Sequence, residues 1–261
     1  MSDDLSSVSN FNSKLSNISI PDLPVFSPKD FGKKHIPYNG INFIRAVFVG
    51  ATQSGKNVAF KSMYHLWFKG QYDYYLIFTG TASKGNFDYL DPNKTEIYDD
   101  FSFSALKAIM NVNQRRQYNK EPTIRTMIIF DDVLDDTNKN LGIMHQLFKK
   151  GRNWDLSVVA LIQDFKQMVP ACLGQVNMWV FRNVVNEKRC KEVIDYFSSL
   201  SDRRVIGDYK NTVPFWLELI YRYSVDKDYG SLIIFTNHVG ENDKFKFSNA
   251  VFQYTADKKY K

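Results

Sequence analysis

Short apolar runs alternate with longer segments of mixed polarity from about residue 41 onward. The runs have the length of strands and are apolar on successive residues, as is typical of strands covered on both faces. They are residues 43–49, 74–78, 124–130, 157–162, 178–181 and 232–235. Candidate helices lie between them at 57–68, 104–116, 139–150 and 186–200, with a weaker one near 213–223. This alternation predicts an α/β fold with a mainly parallel sheet and helices on both sides.

The first 30 residues do not follow this pattern. They are rich in Ser, Asn and Pro, contain few apolar residues and show no helical period. Such a composition is typical of a flexible polar arm. We therefore predict an arm over residues 1–30 and one domain over residues 31–261, a length that suits a single large domain.

Composition and charge narrow the class of protein. The 261 residues are 44% hydrophobic, enough for a sizeable core, and carry a formal net charge of +6. A basic balance allows an acidic partner such as DNA, RNA or anionic lipid. Two cysteines make no disulfide framework, the polar start is unlike a secretory signal, and no run approaches the roughly 18 apolar residues of a membrane span. We expect a soluble intracellular protein.

A phosphate-binding loop follows the first predicted strand. Gly50, Gly55 and Lys56 have the Gly-x4-Gly-Lys spacing, and a helical pattern comes after them. Glycines let backbone N–H groups converge on phosphate oxygens, the start of the helix adds its positive dipole end, and the lysine reaches the β- and γ-phosphates. The alternative is a glycine turn with a surface lysine. The predicted nucleotide-binding residues are Gly50, Ala51, Thr52, Gln53, Ser54, Gly55, Lys56 and Asn57.

Asn57 departs from the motif, which has a Ser or Thr after the lysine as a ligand of Mg²⁺. An amide oxygen is also a neutral hard donor, but it lies one bond farther from the backbone. Three interpretations stay open: direct ligation of Mg²⁺ by Asn57, contact through water, or no contact. We expect ATP binding in every case because the loop amides and Lys56 hold the phosphates. Hydrolysis is the step that the substitution affects.

A pair of acids at the end of a buried strand complements the loop. Residues 127–130 are apolar and run directly into Asp131 and Asp132. Ligands of open α/β sheets bind at the carboxyl edge of the strands. We predict that Asp131 holds Mg²⁺ through the water shell of the ion and that Asp132 orients or deprotonates the attacking water. The alternative is an acidic turn without a catalytic role, which is our interpretation of Asp135 and Asp136.

A further predicted strand over residues 72–79 comes between the loop strand and the acidic strand. An additional strand there is typical of the P-loop branch that uses a catalytic acid beside the metal-binding acid. The GTPase branch is disfavoured because Asp131 and Asp132 are not followed by an Asp-x-x-Gly pattern.

The downstream residues resemble a known family. Phe-Asp-Asp at 130–132, Gly-Arg-Asn-Trp-Asp-Leu-Ser at 151–157, a strand ending in Gln163, and Pro170 resemble the genome-packaging ATPases of eukaryotic DNA viruses and virophages. These poxvirus-type enzymes belong to the HerA and FtsK superfamily of P-loop DNA translocases. The resemblance covers about residues 43–185, the predicted ATPase core, and leaves 186–261 as a C-terminal extension. Asn153 replaces the usual His, Asn57 the usual Thr, and the family's Arg after the proline is absent.

The resemblance implies an ATP- and Mg²⁺-dependent motor that moves double-stranded DNA, without sequence specificity, into a capsid. It implies a homo-oligomeric ring, a hexamer, with capsid proteins as partners, no membrane, and a location in the host cytoplasm or the virion. Gln163 would position the water or sense the γ-phosphate, and Arg152 would act as an arginine finger in a neighbouring subunit. From the residues alone, two interpretations of Gln163 stay open: this role, at the carboxyl end of a strand next to the acidic one, or a polar strand end. For Arg152, the residues alone favour a surface residue of a basic cluster over a finger.

Basic residues that face a DNA pore cannot be told from ordinary solvated charges by sequence. The candidates are Lys84, Arg115, Arg116, Lys188 and Arg189, with Arg203 and Arg204 as a second choice of finger. Two other functions stay open. Asn57 makes a nucleotide-binding scaffold with impaired hydrolysis credible, whereas a small-molecule P-loop kinase lacks support because the sequence shows no arginine-rich lid.

Overall fold

The computed structural model describes residues 22–23, 43–135, 141–168, 170–183, 218–225, 228–239 and 247–260. Most of the predicted arm, the predicted helix at 186–200 and residues 213–217 of the weaker predicted helix lie outside the described residues. So do Lys188, Arg189, Arg203 and Arg204. The described part of that weaker helix is helical and continues into a π-helical turn (Tyr221–Val225).

The described residues form one eight-stranded sheet. Its strands are β1 (Arg45–Val49), β2 (Tyr74–Thr79), β3 (Thr95–Tyr98), β4 (Thr126–Asp131), β5 (Leu156–Ile162), β6 (Met178–Phe181), β7 (Gly230–Val239) and β8 (Phe247–Thr255). Their order across the sheet is β3-β2-β4-β5-β1-β6-β7-β8. The strands from β3 to β6 in this order pair in parallel, and β7 and β8 continue the sheet in antiparallel fashion. The prediction of a mainly parallel α/β sheet is confirmed.

Helices cover both faces of the sheet, as predicted. They are α1 (Lys56–Met63), which continues into a π-helical turn (Tyr64–Phe68), α2 (Phe103–Tyr118), α3 (Gly142–Lys150) and the short α4 (Pro170–Leu173). Residues of α2 and α3 such as Leu106 and Leu147 belong to one core cluster, whereas Phe60 and Met63 of α1 belong to the other. The sheet therefore separates two apolar cores.

The central strands are apolar on successive residues because each residue is buried on one face or the other. In β1, Val47 and Val49 point to the core beneath α2 and α3, and Ala46 and Phe48 point to the core beneath α1. Every residue of β4 and β5 is buried. Full burial of a large aliphatic or aromatic side chain contributes about 1.5–3 kcal/mol, so these strands anchor the sheet edge that follows them.

The spatial order of the strands shows that the interpretation of residues 72–79 as the additional strand between the loop strand and the acidic strand is wrong. β2 precedes β4 in the chain but lies on its outer side, and the strand that separates β1 from β4 in space is β5. The additional strand of this fold is therefore β5, which is followed directly by Gln163. Two edge elements, β3 and β8, were not predicted from the sequence, and β7 is longer than the predicted 232–235.

Candidate nucleotide-binding site

The phosphate loop lies between the end of β1 and the start of α1. Hydrogen bonds to the neighbouring strands hold the start of the loop. The amide of Gly50 donates to the carbonyl of Ile162 at 3.1 Å, and the amide of Arg182 donates to the carbonyl of Val49 at 2.9 Å. A Cβ at Gly50 would overlap the carbonyl oxygen of Arg182, and Gly55 has φ +85°. The two glycines of the motif are thus required by a close backbone approach and by a left-handed conformation.

Lys56 lies at the centre of the site. Its side chain is buried, and Nζ donates to the carbonyl oxygens of Gly50 at 2.8 Å and Ala51 at 3.3 Å. The same Nζ is 3.8 Å from Oδ2 of Asp132. The ammonium group therefore lies between the phosphate loop and the acidic pair at the end of β4.

Asp131 is a buried carboxylate held by two neighbouring elements. Its Oδ2 accepts hydrogen bonds from Oγ1 of Thr79 at 2.9 Å and from Nδ2 of Asn57 at 3.4 Å. Burial raises the pKa of Asp131, and the charge of Asp132 raises it further, while Thr79, Asn57 and Lys56 act in the opposite direction. Because burial penalises the ionised form, a cation at this carboxylate would be strongly favoured.

The backbone turns sharply at Asp132, the second acid of the pair. Its φ is +55°, a left-handed conformation that Asp adopts more readily than most residues. The side chain is 33% exposed and accepts a hydrogen bond from Nε2 of Gln163 at 3.1 Å. Oε1 of Gln163 in turn accepts from Oγ1 of Thr52 at 2.9 Å. Thr52, Gln163 and Asp132 thus connect the carboxyl ends of β1, β5 and β4.

Gln167 fixes the backbone at Gln163, and sequence reasoning missed it. Its Oε1 accepts from the amides of Gln163 at 2.8 Å and Asp164 at 3.0 Å, and its Nε2 donates to the carbonyl of Leu134 at 3.2 Å. Asp164 and Gln167 form a capping box at the start of a short 3₁₀ turn. The Asp-x-x-Gln spacing is the sequence signal that would have identified it.

Asn57 has a buried amide oxygen next to Asp131. Its Nδ2 faces Asp131, whereas its Oδ1 is buried and accepts no hydrogen bond within the described part of the chain. A buried acceptor without a partner costs about 1–3 kcal/mol. A hard oxygen next to a buried carboxylate is a suitable donor set for Mg²⁺, which prefers oxygen ligands. The residues present therefore fit the metal.

Arg182, at the end of β6, also contacts the loop and was not predicted. Its side chain is only 8% exposed. Nε donates to the carbonyl of Ser54 at 3.1 Å, and Nη1 donates to the carbonyl of Gly230 at the start of β7. The sequence signal that could have identified Arg182 is a charged residue directly after the apolar run of β6.

Residues 35–206 match the family model of the poxvirus A32 protein. The chain belongs to the poxvirus A32 family. The matched segment contains the phosphate loop, Asp131, Asp132 and Gln163. It confirms the resemblance to viral genome-packaging P-loop ATPases.

Solved structures share the fold of this A32-family chain. The genome packaging NTPase B204 from Sulfolobus turreted icosahedral virus 2, in complex with AMPPCP, is 14% identical, with 81% of this chain and 97% of that chain covered and a TM-score of 0.51. The pCW3 conjugation coupling protein TcpA, with ATPγS, is 13% identical over 92% and 72% of the two chains, with a TM-score of 0.54. At such identities the likeness shows the P-loop NTPase fold.

A third fold relative is EssC (ATPases 2 and 3) from Geobacillus thermodenitrificans, which is 12% identical over 92% of this chain and 48% of its own, with a TM-score of 0.51. No protein of curated function shows significant sequence similarity to the chain. In the part of the chain that the structure describes, no helix is both long and apolar enough to cross a membrane.

Arg152 is the predicted site residue that the A32-family fold does not bring to this site. It is exposed in the 3₁₀ turn Gly151–Trp154, which precedes β5. Gln163 follows the other end of β5, and the seven residues of that strand span roughly 20 Å. Arg152 therefore lies at the opposite edge of the sheet from the phosphate loop of its own chain.

Proposed function

We propose that this A32-family chain is the ATP-hydrolysing subunit of a ring-shaped motor that moves double-stranded DNA into a viral capsid. The observation that carries the proposal is the convergence of Lys56, Asn57, Asp131 and Asp132 at one sheet edge, with 3.8 Å between Lys56 and Asp132 and 3.4 Å between Asn57 and Asp131. Family membership supports the packaging role. The packaging role named for B204, which has the same fold, agrees with it.

In this proposal the loop residues from Gly50 to Asn57 bind the triphosphate, with ATP as the substrate. Backbone amides of the loop donate to phosphate oxygens, and Lys56 exchanges its loop carbonyls for the β- and γ-phosphates. Oδ1 of Asn57 and the carboxylate of Asp131 would hold Mg²⁺. When bound, Mg²⁺ neutralises charge that develops on the phosphates.

Asp132 acts as the base in the proposed hydrolysis. Its carboxylate takes a proton from the attacking water while the oxygen of that water bonds to the γ-phosphorus and the bond to the β-phosphate oxygen breaks. Gln163, which already donates to Asp132, orients the same water. The products are ADP and phosphate.

Arg152 requires a neighbouring subunit for any role in hydrolysis. Its position at the far edge of the sheet suits a finger that enters the nucleotide site of the next subunit in a ring.

Two of the candidate DNA-contacting residues have partners within the chain: Lys84 pairs with Asp99, and Arg116 donates to the carbonyl of Pro122. We propose capsid proteins as further partners, at the assembly site in the host cytoplasm or in the virion.

The proposed motor predicts ATP turnover that depends on assembly and on DNA. Specific activity should rise with protein concentration as subunits complete one another's sites, and it should rise further when duplex DNA is added. Phosphate release over a concentration series, with and without DNA of random sequence, measures both effects. ATP binding without turnover would instead identify a scaffold, and turnover only in the presence of a small-molecule acceptor would identify a kinase.

Asn57→Thr tests the metal ligand. We expect the variant to keep its turnover or raise it by up to about tenfold, which corresponds to about 1.4 kcal/mol of barrier, because the hydroxyl restores the usual distance to Mg²⁺. Asn57→Ala should need a higher Mg²⁺ concentration for half-maximal turnover. Mg²⁺ titrations of phosphate release measure this. An unchanged Mg²⁺ requirement in Asn57→Ala would show that Asn57 does not contact the metal.

A further inference from the structure

The register of β6 against β1 brings Arg182 beneath the phosphate loop. Phe181 pairs with Val49. The residue after Val49 is Gly50, which begins the phosphate loop, and the residue after Phe181 is Arg182. The backbone amide of Arg182 donates to the carbonyl of Val49 at 2.9 Å. The position of Arg182 is therefore fixed by the central strands rather than by a surface segment.

The guanidinium group packs directly against the second half of the loop. Nε donates to the carbonyl of Ser54 at 3.1 Å. Nη2 lies 2.9 Å from the point where a Cβ on Gly55 would be, so the guanidinium in this position packs closely against the glycine. On its other side, Nη1 donates to the carbonyl of Gly230.

The charge of Arg182 has no carboxylate partner in the part of the chain that is described. Its hydrogen bonds go to neutral carbonyl oxygens, and the side chain is only 8% exposed. Burial lowers the pKa of Arg182, with Tyr229 and Asp228 opposing the change from a distance. Burial of a charge without a counter-ion is unfavourable, and arginine remains protonated in proteins.

We infer that the phosphate groups of the bound nucleotide supply the counter-charge of Arg182, and that Arg182 is a positioning residue for the phosphate loop. It holds the carbonyl of Ser54 and thereby the amides of the loop, and it places a fixed positive charge behind them. The inference rests on the proposed nucleotide site. The guanidinium bonds to the carbonyls of Ser54 and Gly230 and not to Asp132 or Gln163, the residues assigned to the attacking water, so it contributes to nucleotide affinity more than to the rate of hydrolysis.

A purely structural role is the competing explanation. In that case Arg182 only connects the loop to β7 through its bonds to Ser54 and Gly230, and its loss would lower stability with or without nucleotide. A counter-charge role differs because the benefit of Arg182 appears when phosphate is bound. The two roles are separated by comparing nucleotide-free and nucleotide-bound protein.

The test uses the full chain with Arg182→Gln, which removes the charge, and Arg182→Lys, which retains it. Arg45→Gln is a matched control, because Arg45 also donates to a main-chain carbonyl, that of Phe148 at 2.7 Å, but lies at the opposite end of β1. Thermal-unfolding midpoints with and without Mg²⁺-ATPγS, the Kd of that nucleotide, and kcat at saturating ATP are measured for each variant.

We expect Arg182→Gln to unfold near the wild-type temperature without nucleotide and to bind ATPγS about tenfold more weakly, with a smaller nucleotide-induced rise in midpoint. Arg182→Lys should bind with intermediate affinity. Saturated kcat should stay within about threefold of wild type because Arg182 does not touch the reacting atoms. Arg45→Gln should bind nucleotide like the wild type, even if its own midpoint falls.

A wild-type Kd in Arg182→Gln would overturn the inference while leaving the nucleotide site intact. If Arg182→Gln does not fold, Arg182→Met, which keeps the aliphatic length, replaces it. Failure of both neutral variants to fold without nucleotide would also overturn the inference, since the charge would then be needed in the absence of phosphate. If the wild type binds no ATPγS, the proposed function fails, and this inference fails with it.

Discussion

Lys56→Ala should reduce ATP turnover by about a thousandfold or more, because it removes the charge that would face the β- and γ-phosphates. Nζ of Lys56 is the cation between the loop and the acids, 2.8 Å from the carbonyl of Gly50 and 3.8 Å from Oδ2 of Asp132. Its loss leaves Asp132 without this nearby positive charge at the moment when the phosphates bring more negative charge. Steady-state phosphate release measures the effect.

Lys61→Ala is the matched control for Lys56→Ala. Lys61 belongs to the same helix, and its Nζ lies 5.5 Å from the centre of the Tyr89 ring rather than at the loop. We expect its turnover to match that of the wild type. If Lys56→Ala hydrolyses ATP as fast as Lys61→Ala does, the phosphate loop has been assigned to the wrong residues.

Asp132→Asn should lower kcat by about 10²–10⁴-fold while the Kd for ATP changes little, because the amide cannot accept the proton of the attacking water. Asparagine tolerates the left-handed backbone at this position, where φ is +55°, so the loss should be chemical rather than structural. Single-turnover hydrolysis and nucleotide binding, measured on the same preparation, separate the two quantities.

Asp135→Asn provides the comparison for Asp132→Asn. Asp135 is an exposed acid three residues farther along the chain, and we assigned it no role in hydrolysis. Its variant should retain full turnover. Equal activities of the two variants would exclude Asp132 as the base and leave water activation to another group at the sheet edge.

The interior of the sheet could be predicted because both of its faces are covered. Residues 127–130 and 158–162 read as unbroken apolar runs, and the structure buries every residue of β4 and β5. The margins gave weaker signals. β3 has the sequence Thr-Glu-Ile-Tyr and is half-buried at one edge, and β8 contains Ser, Asn, Gln and Thr at the other. Edge strands lack a neighbour on one side, so their sequences need not be apolar throughout.

The site was predictable where its residues are neighbours in the chain. The spacing of Gly50 and Lys56 and the adjacency of Asp131 and Asp132 are local patterns, so the sequence identified them as candidates. Residues that reach the site through strand pairing carry no such pattern. Thr79 meets Asp131 because β2 pairs with β4 in one particular register.

Arg182 was missed for the same reason, because it reaches Ser54 through the pairing of β6 with β1. Periodicity predicts that a strand exists, but it does not fix which strands are adjacent. The position of β5 between β1 and β4 illustrates this limit. The order of the elements along the chain led to the prediction that residues 72–79 are the additional strand.

In the proposed motor, the central place of β1 limits which parts of the chain can move during ATP hydrolysis. β1 is bonded to β5 from Arg45 to Val49 and to β6 from Ala46 to Val49, so sliding it along its axis would break two ladders at once. Among the described strands, β3 and β8 each pair on one side only. We expect the central strands to stay rigid and the edge strands β3 and β8 to move and transmit force in the proposed motor.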